Sequence, residues 1–285
     1  MINSMRTRKI AANSTVYVVL AVLSVIWLLP IVYLVITSFR GEPGPWLDGY
    51  VMPKEWTLGN YTRLFTDTGS FNYPLWFMNT LIIAVCSCLI STFFVLFTSY
   101  AFSRLRFRLR RPMMNVILVL GMFPGFMSII AVYHLISLIG LEQSLAALVL
   151  IYSGGAGLGY YIMKGFFDTI PAALDESAYI DGCTKWQTFI KITLPLSRPV
   201  MTFTVLTAFI GPWVDFICAS IIMKDNYNNY TIALGLFRML ERESIGSWYT
   251  SFTAGAVLVS IPISILFLVM QKNYVEGVTG GSVKG

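Results

Sequence analysis

The chain has 285 residues, of which 56% are hydrophobic and only 12% are charged, and its mean hydropathy is +0.70. Soluble domains usually carry about 25% charged residues, so this composition excludes an ordinary soluble domain and indicates an all-α, polytopic membrane protein. The net charge of +6 does not indicate nucleic-acid binding, because the basic residues gather at the ends of apolar segments and do not form one basic face.

Six apolar stretches are each long enough to cross a bilayer, which needs about 20 helical residues. The predicted transmembrane helices are Thr15–Ser38, Trp76–Phe102, Met113–Leu138, Leu145–Met163, Val200–Met223 and Phe252–Met270. The first is too long for a signal peptide and lacks a small-residue cleavage site, so we predict a retained anchor. The sequence therefore predicts one membrane domain, residues 15–271, between an N-terminal segment, 1–14, and a C-terminal tail, 272–285.

The distribution of Lys and Arg predicts that both termini lie in the cytoplasm. In that orientation the cytoplasmic segments hold 14 of the 20 basic residues, as the positive-inside rule requires. The alternating basic run from Ser103 to Arg111 lies on this side, where we expect it to contact lipid headgroups. The four glycines between Gly154 and Gly159 lie in an apolar span, where small residues let helices approach closely.

A polar stretch, Asp175–Pro199, separates the fourth span from the fifth. Its acidic start favours a helix N-terminus, its Asp-Gly pair favours a sharp corner, and a Thr-x-x-Gln spacing predicts a capping box that starts a second helix. The residues concerned are Asp175, Glu176, Asp181, Gly182, Thr184 and Gln187. Two interpretations follow from these residues alone: a surface that docks another protein, or an amphipathic connector in the headgroup region.

The spacing of this stretch resembles the EAA signature of ABC importer permeases, EAAxxDGxxxxxxFxxIxLPxxxP. The departures are Ser177 and Cys183, both small residues at positions where small residues are expected. The run Gly211–Phe216 resembles the Trp-x-Asp-Phe sequence of carbohydrate permeases, and the C-terminal tail resembles that of maltose and maltodextrin permeases. The resemblance therefore covers nearly the whole chain.

This resemblance implies a type I ABC importer permease fold with six transmembrane helices and a cytoplasmic coupling helix. In that family the coupling helix contacts an ATP-hydrolysing subunit, and a further group of residues supports it. By position, the coupling residues are Glu176, Ser177, Ala178, Asp181 and Gly182, and the supporting residues are Phe189, Leu194 and Pro195. The chain has no G-x-x-x-x-G-K-[ST] loop, so ATP and Mg are expected on a partner ATPase dimer, and no cofactor or metal is expected on this chain.

Asp215 is the one acidic residue predicted within a span. Because a carboxylate at the centre of a bilayer costs about 2.5–3.5 kcal/mol, Asp215 should face protein or water. We interpret it as a hydrogen-bonding group that fixes a kinked helix, with a coupling-ion site as the alternative. In the predicted outer loop Lys224–Ser251, the aromatic residues Tyr227, Tyr230 and Trp248 either lie at the membrane interface or, as the resemblance implies, approach a sugar-binding protein.

The resemblance implies the permease subunit of a binding-protein-dependent sugar importer in a bacterial cytoplasmic membrane, most similar to those for maltose and maltodextrin. A homologous second permease and an extracytoplasmic sugar-binding protein would complete it, and this chain would not itself be an enzyme. One alternative is an ABC importer permease for another solute, such as other oligosaccharides or glycerol phosphate. The other, a self-sufficient secondary transporter, is disfavoured because such proteins usually show several intramembrane ionisable residues or inverted repeats.

Overall fold

The computed structural model describes residues 2–45, 52–122, 125–155 and 157–280. Within these ranges the chain is mostly helical, and its only β pairing is an isolated bridge between Arg40 and Trp56. This confirms the predicted all-α fold. The helices are α1 (Ile2–Ser38), α2 (Gly59–Thr66), α3 (Tyr73–Arg104), α4 (Arg110–Met122), α5 (Gly125–Leu138), α6 (Leu145–Gly154), α7 (Gly157–Thr169), α8 (Ala172–Ile180), α9 (Lys185–Leu196), α10 (Arg198–Val214), α11 (Ile217–Met223), α12 (Ile232–Met239) and α13 (Ile245–Gly280).

Three helical segments are long and apolar enough to cross a membrane unbroken: Ser14–Ser38, Tyr73–Arg104 and Ile245–Lys272. Up to six spans result if each of three bent helix pairs counts as one. The third and fourth predicted spans are such pairs, α4 with α5 and α6 with α7. The chain is therefore a multi-pass membrane protein, as predicted, but half of its spans are interrupted.

The fifth predicted span, Val200–Met223, also differs from one continuous helix. It consists of α10 and α11, separated at Asp215 and Phe216. Pro212 lies inside α10, and a proline in a helix removes one backbone hydrogen bond and clashes with the preceding turn. The chain meets this span at a sharp angle, because α9 and α10 are bent by 81° relative to each other.

The chain divides into two compact units. The first comprises Met1–Phe71 and Arg238–Leu258, and the second comprises Asn72–Phe237 and Val259–Gly285. The prediction of one membrane domain over residues 15–271 was based on apolar spans and not on packing. It remains a prediction.

In the first unit, a buried hydrogen-bond network fixes the segment that follows α1. The side chain of Asn60 donates to the carbonyls of Ser38, at 3.0 Å, and Arg40, at 2.8 Å. Its Oδ1 atom accepts a hydrogen bond from the hydroxyl of Thr250, at 2.8 Å. The segment between α1 and α3 therefore has internal structure, including α2. In contrast, the apolar part of α1 is unburied within the chain, which leaves it to contact lipid or another protein.

In the second unit, α3 is the central helix and packs against α6, α7 and α10. A close approach between α4 and α7 occurs at Gly121 and Gly157, where a Cβ atom on Gly157 would lie 3.4 Å from the Cα atom of Gly121. Small residues let two membrane helices approach closely. This contact confirms the predicted packing role for Gly157, whereas Gly154 has open space where a Cβ atom would lie.

Candidate functional site

The polar stretch begins with α8, which ends in a glycine corner. Gly182 has a φ of +83°, a conformation that residues with a Cβ atom rarely adopt. The N–H of Cys183 donates to the carbonyl of Ala178, at 2.8 Å, and the N–H of Gly182 donates to that of Tyr179, at 3.1 Å. These two bonds form a Schellman motif, which satisfies carbonyls at the end of α8. The corner predicted at Asp181-Gly182 is confirmed.

The helix after the corner begins with the predicted capping box. The N–H of Gln187 donates to Thr184 Oγ1, at 3.2 Å, and the N–H of Thr184 donates to Gln187 Oε1, at 2.8 Å. Both bonds satisfy backbone donors that the first turn of a helix leaves unpaired. The helix then contains one π-helical turn, Phe189–Thr193, before it ends at Leu196.

Aromatic packing holds this helix against the C-terminal end of α3. Phe189 is buried, and its ring lies 4.5 Å from that of Tyr100 and 5.2 Å from that of Phe97. Trp186 stacks on Phe97 at 5.7 Å with 13° between the ring planes. The hydroxyl of Tyr100 donates to the carbonyl of Lys185, at 3.2 Å. Phe189 therefore packs the helix after the corner against α3, as a supporting residue should. Its supporting role itself remains a prediction.

A buried ion pair joins α8 to the end of α3. Arg104 Nε lies 2.9 Å from Asp175 Oδ2, and the two side chains are only 12% and 8% exposed. The Nε–H does not point at an acceptor, so the contact is an ion pair without a hydrogen bond. Arg104 also donates from Nη2 to the carbonyl of Ile170, at 2.9 Å. The residue before Arg104, Ser103, donates to Asp168 Oδ1, at 2.6 Å.

The corner leaves an exposed surface of mixed character. Four of the five predicted coupling residues are exposed there: Glu176, Ser177, Asp181 and Gly182. The fifth, Ala178, is buried. Large apolar side chains lie beside the exposed ones, with Ile180 at 86% and Trp186 at 58% exposure. An apolar patch with an acidic rim on a rigid corner can dock a partner protein.

The two remaining supporting residues lie at the far end of α9. Leu194 is half-buried and packs against the aromatic and aliphatic cluster formed by Val95, Leu96, Tyr100, Met163, Phe167, Ile170 and Phe189. Pro195 is exposed. Neither residue ends the helix, which continues to Leu196.

Asp215 occupies the interruption between α10 and α11. Its Oδ1 atom accepts a hydrogen bond from the N–H of Cys218, at 3.0 Å, and its Oδ2 atom accepts one from the hydroxyl of Tyr152, at 3.1 Å. Asp215 also lines a cavity of about 980 Å³ in the second unit. The hydrogen bonds are those that a residue fixing a broken helix would make, and the functional role of Asp215 remains a prediction.

The three aromatic residues of the predicted outer loop differ in exposure. Tyr227 is 55% exposed, whereas Tyr230 is fully buried and donates from its hydroxyl to the carbonyl of Lys224, at 2.7 Å. In the first unit, Trp248 is 5% exposed, and the guanidinium of Arg63 lies 3.7 Å from its ring centroid. Tyr230 and Trp248 therefore stabilise their own units by packing, and among the three only Tyr227 presents a ring that a binding protein could reach.

Sequence reasoning did not find Arg104, Asp168 or Tyr100 as parts of the candidate site. Arg104 was interpreted only as one member of a basic run that contacts lipid headgroups. Its single local signal is its position at the very end of a long apolar helix, where a basic residue also suits the helix dipole. Nothing local distinguishes it from the other arginines of that run, because its partner Asp175 lies in a different helix.

Known proteins share both the sequence pattern and the fold. Residues 101–280 match the family model described as "Binding-protein-dependent transport system inner membrane component". The chain is 37% identical to the galactooligosaccharides transport system permease protein GanQ of Bacillus subtilis, over 100% of both chains. It is 33% identical to the maltodextrin transport system permease protein MalD of Streptococcus pneumoniae, again over 100% of both.

The solved structures include a bacterial ABC transporter involved in the import of the acidic polysaccharide alginate. One of its chains superposes with a TM-score of 0.78 and 21% sequence identity, over 91% of this chain and 95% of that one. At this identity the likeness shows the fold alone, which is the ABC importer permease fold. With the family match and the full-length relatives, it shows that the chain belongs to the inner membrane components of binding-protein-dependent transport systems and is an ABC importer permease for sugars.

Proposed function

We propose that this chain couples ATP hydrolysis in a separate ATPase dimer to the passage of an oligosaccharide across the membrane. The observation that carries the proposal is the corner at Gly182. It exposes Ile180 and Trp186 beside the acidic residues Glu176 and Asp181, and the helices on both sides of it are fixed to α3 by Arg104 and Tyr100. A force applied to such a corner moves α3 with it, because the contacts beneath it are buried and specific.

The proposal assigns the chemistry of ATP to the partner. ATP and Mg would bind to the ATPase subunits, and this chain would contribute no catalytic group, consistent with its lack of a Walker A sequence. ATP-driven closure of the dimer would draw the corner inward and open the sugar path to the outside. Hydrolysis would then reset the helices. This cycle requires the corner to face the cytoplasm, as the distribution of Lys and Arg predicts.

Further partners are part of the proposal. A homologous second permease would complete the path, and the unburied apolar surface of α1 would be one place for it to bind. An extracytoplasmic sugar-binding protein would deliver the sugar, in accord with the description of the family. Both termini would lie on the cytoplasmic side of a bacterial cell membrane.

For the substrate we propose a neutral oligosaccharide, of the maltodextrin or the galactooligosaccharide type. The names of the two full-length relatives support both types. ABC import of another solute, such as glycerol phosphate, would use the same corner. A self-sufficient secondary transporter would instead move solute without any partner.

The test is purification of tagged chain from native membranes in mild detergent, with the associated proteins identified by mass spectrometry. We expect an ATPase and a second permease, and we expect a Gly182→Val variant to lose the ATPase while it keeps the permease. The complex is then reconstituted with candidate binding proteins, and uptake of maltodextrins, galactooligosaccharides and glycerol phosphate is measured. Recovery of the chain alone, still able to move sugar in liposomes without ATP, would overturn the proposal.

A further inference from the structure

The second unit contains a partly open cavity of about 980 Å³, which is at the upper end of the range for small-molecule sites. Its described lining comes from α3, α5, α6, α7, α10 and α11, and most of it is aliphatic or glycine. A few hydroxyl groups interrupt the apolar surface: Ser91, Ser128, Tyr152, Thr204 and Thr207. Among the described lining residues, Asp215 is the only acidic or basic one.

Asp215 lies at the point where the fifth span breaks. Its backbone is extended, with φ −82° and ψ 102°, and its N–H bonds to the carbonyl of Gly211, at 3.1 Å. Irregular backbone at membrane depth is tolerated where it is buried in protein or lines a cavity. In transporters, discontinuous helices commonly form the substrate site. The break therefore places a carboxylate on the wall of a cavity large enough for a sugar.

The hydrogen bonds to Asp215 leave acceptor capacity unused. A carboxylate has about four lone-pair positions, and Cys218 N–H and Tyr152 O–H each occupy one. The hydroxyls of Ser128, Thr204 and Thr207 donate to carbonyls of their own helices, so they too remain available as acceptors. The cavity thus presents acceptors on an apolar wall, which suits a ligand that is rich in hydroxyl donors and has apolar C–H faces.

We propose that Asp215 is a sugar-contact residue, which accepts hydrogen bonds from oligosaccharide hydroxyls within this cavity during translocation. The inference rests on the proposed function and deepens it, because it assigns part of the sugar path to this chain. A metal ion suits the site less well, since the described residues contain no group of three His, Cys, Asp or Glu that could hold one. A carboxylate in the path also favours neutral sugars over acidic ones, because an anionic sugar would be repelled.

The main test compares Asp215→Asn with the wild-type complex. Asn keeps an oxygen to accept from Cys218 N–H and is itself a good helix-capping residue, so the break is preserved while the charge is lost. The matched control is Asp225→Asn, which removes a carboxylate from an exposed position outside the cavity. The quantities measured are sugar uptake and ATP hydrolysis in liposomes with loaded binding protein.

We expect Asp215→Asn to lower the number of sugars moved per ATP by about tenfold, the effect of losing one hydrogen bond to a charged group. Asp225→Asn should leave this ratio unchanged. If Asp225→Asn shows the same loss as Asp215→Asn, the loss does not come from the cavity, and the inference is wrong. A wild-type ratio in Asp215→Asn would also refute it.

A second measurement uses the wild-type complex and decides the matter even if Asp215→Asn does not assemble. A water-soluble carbodiimide with an amine labels accessible carboxyls, and mass spectrometry locates them. Oligosaccharide should protect Asp215 from labelling and leave Asp225 unaffected, and equal labelling of Asp215 with and without sugar would contradict the proposal. Absence of any ATP-driven uptake by the wild-type complex would instead refute the proposed function, so the two failures are distinct.

Discussion

The Nε atom of Arg104 lies 2.9 Å from Oδ2 of Asp175, and the pair joins the last turn of α3 to the first turn of α8. Each side chain comes from a helix end, and both are almost fully buried. Arg104 also holds the carbonyl of Ile170, in the segment that leads into α8. The ion pair and the hydrogen bond from Tyr100 to the carbonyl of Lys185 are therefore two direct polar links between α3 and the helices on either side of the corner.

Removal of one partner of this pair should be costly. We expect Asp175→Ala to destabilise the protein by about 3–5 kcal/mol, because it leaves the guanidinium buried without its counter-charge. A double variant, Arg104→Met with Asp175→Leu, should recover much of that loss, since apolar residues of similar volume can replace a buried pair. Both stability changes are measured as the temperature of thermal unfolding in detergent, monitored by size-exclusion chromatography.

The control for this prediction is Asp67→Ala. Asp67 pairs with Arg63 at 3.6 Å, with exposures of 41% and 35% for the two side chains. Exposed pairs contribute about 0–1 kcal/mol, so this variant should unfold close to the wild-type temperature. Equal losses in Asp175→Ala and Asp67→Ala would mean that the Arg104–Asp175 pair contributes no more than a surface pair.

The glycine at the corner is expected to be irreplaceable by a β-branched residue. Gly182→Val should cost about 1–2 kcal/mol, because φ is +83° and a Cβ atom is strained in that region. No atom lies within 4 Å of the position that the Cβ would occupy, so the cost comes from the backbone and not from a clash. ATPase retention on the purified chain and ATP-driven uptake are the readouts.

Gly182→Asn provides the matched comparison, because Asn adopts positive φ more readily than other residues with a side chain. It should keep most of the coupling that Gly182→Val loses. If both variants lose coupling to the same extent, then the ATPase surface tolerates no side chain at this position, and backbone conformation is not the cause.

A second glycine is required for a different reason. Gly235, in α12, packs directly against the indole ring of Trp76, and an added Cβ atom would overlap with that ring. The indole is itself fixed by a hydrogen bond from Nε1 to the carbonyl of Tyr227, at 2.8 Å. We expect Gly235→Ala to cost at least about 1–3 kcal/mol through overpacking, measured as lower yield and unfolding temperature. Gly165→Ala, in α7 with open space around it, should be neutral or stabilising.

The apolar part of the corner should matter for assembly and not for folding. Ile180 is 86% exposed, so Ile180→Asp should change the free energy of unfolding by less than about 0.5 kcal/mol. The same change should reduce ATPase co-purification at least tenfold, because it places a charge in the apolar part of the docking surface. Ile139→Asp, at a position that is 60% exposed and predicted to lie on the outer side, should retain the ATPase. Retention by both variants would exclude Ile180 from the docking surface.

The local geometry of the corner could be predicted from sequence because it depends on residues close together in the chain. Gly182 needs only its own backbone freedom, and Thr184 and Gln187 satisfy each other across three residues. The existence of the apolar spans could also be predicted from sequence, since it follows from composition over about 20 residues. The relatives then showed the ABC importer permease family that the EAA-like spacing had indicated, while the coupling role of the corner remains a prediction.

The remaining features depend on tertiary contacts that no local pattern specifies. Arg104 differs from its neighbouring arginines only by the presence of Asp175, about seventy positions later in the chain. Tyr230 and Trp248 belong to an aromatic-rich loop that was expected to be exposed, but each side chain is buried inside its own unit. The break at Asp215 was predicted as a kink, whereas the structure has a full interruption that turns one helix into two.

The π-helical turn Phe189–Thr193 accommodates one extra residue in the helix that follows the corner. In this turn the N–H of Leu194 reaches back to the carbonyl of Phe189, so the helix contains one residue more than an α-helix would need. Deletion of the exposed Lys191 would close the turn to regular α-helix and leave the residues before it facing almost the same way, because the extra residue is absorbed within the turn. Without this turn, the same deletion would rotate everything before it by about 100°, with a shift of about 1.5 Å, and Trp186 would leave Phe97. The π-helical turn thus lets the stretch between Gly182 and the bend at Ser197 lose one residue without redirecting the docking surface.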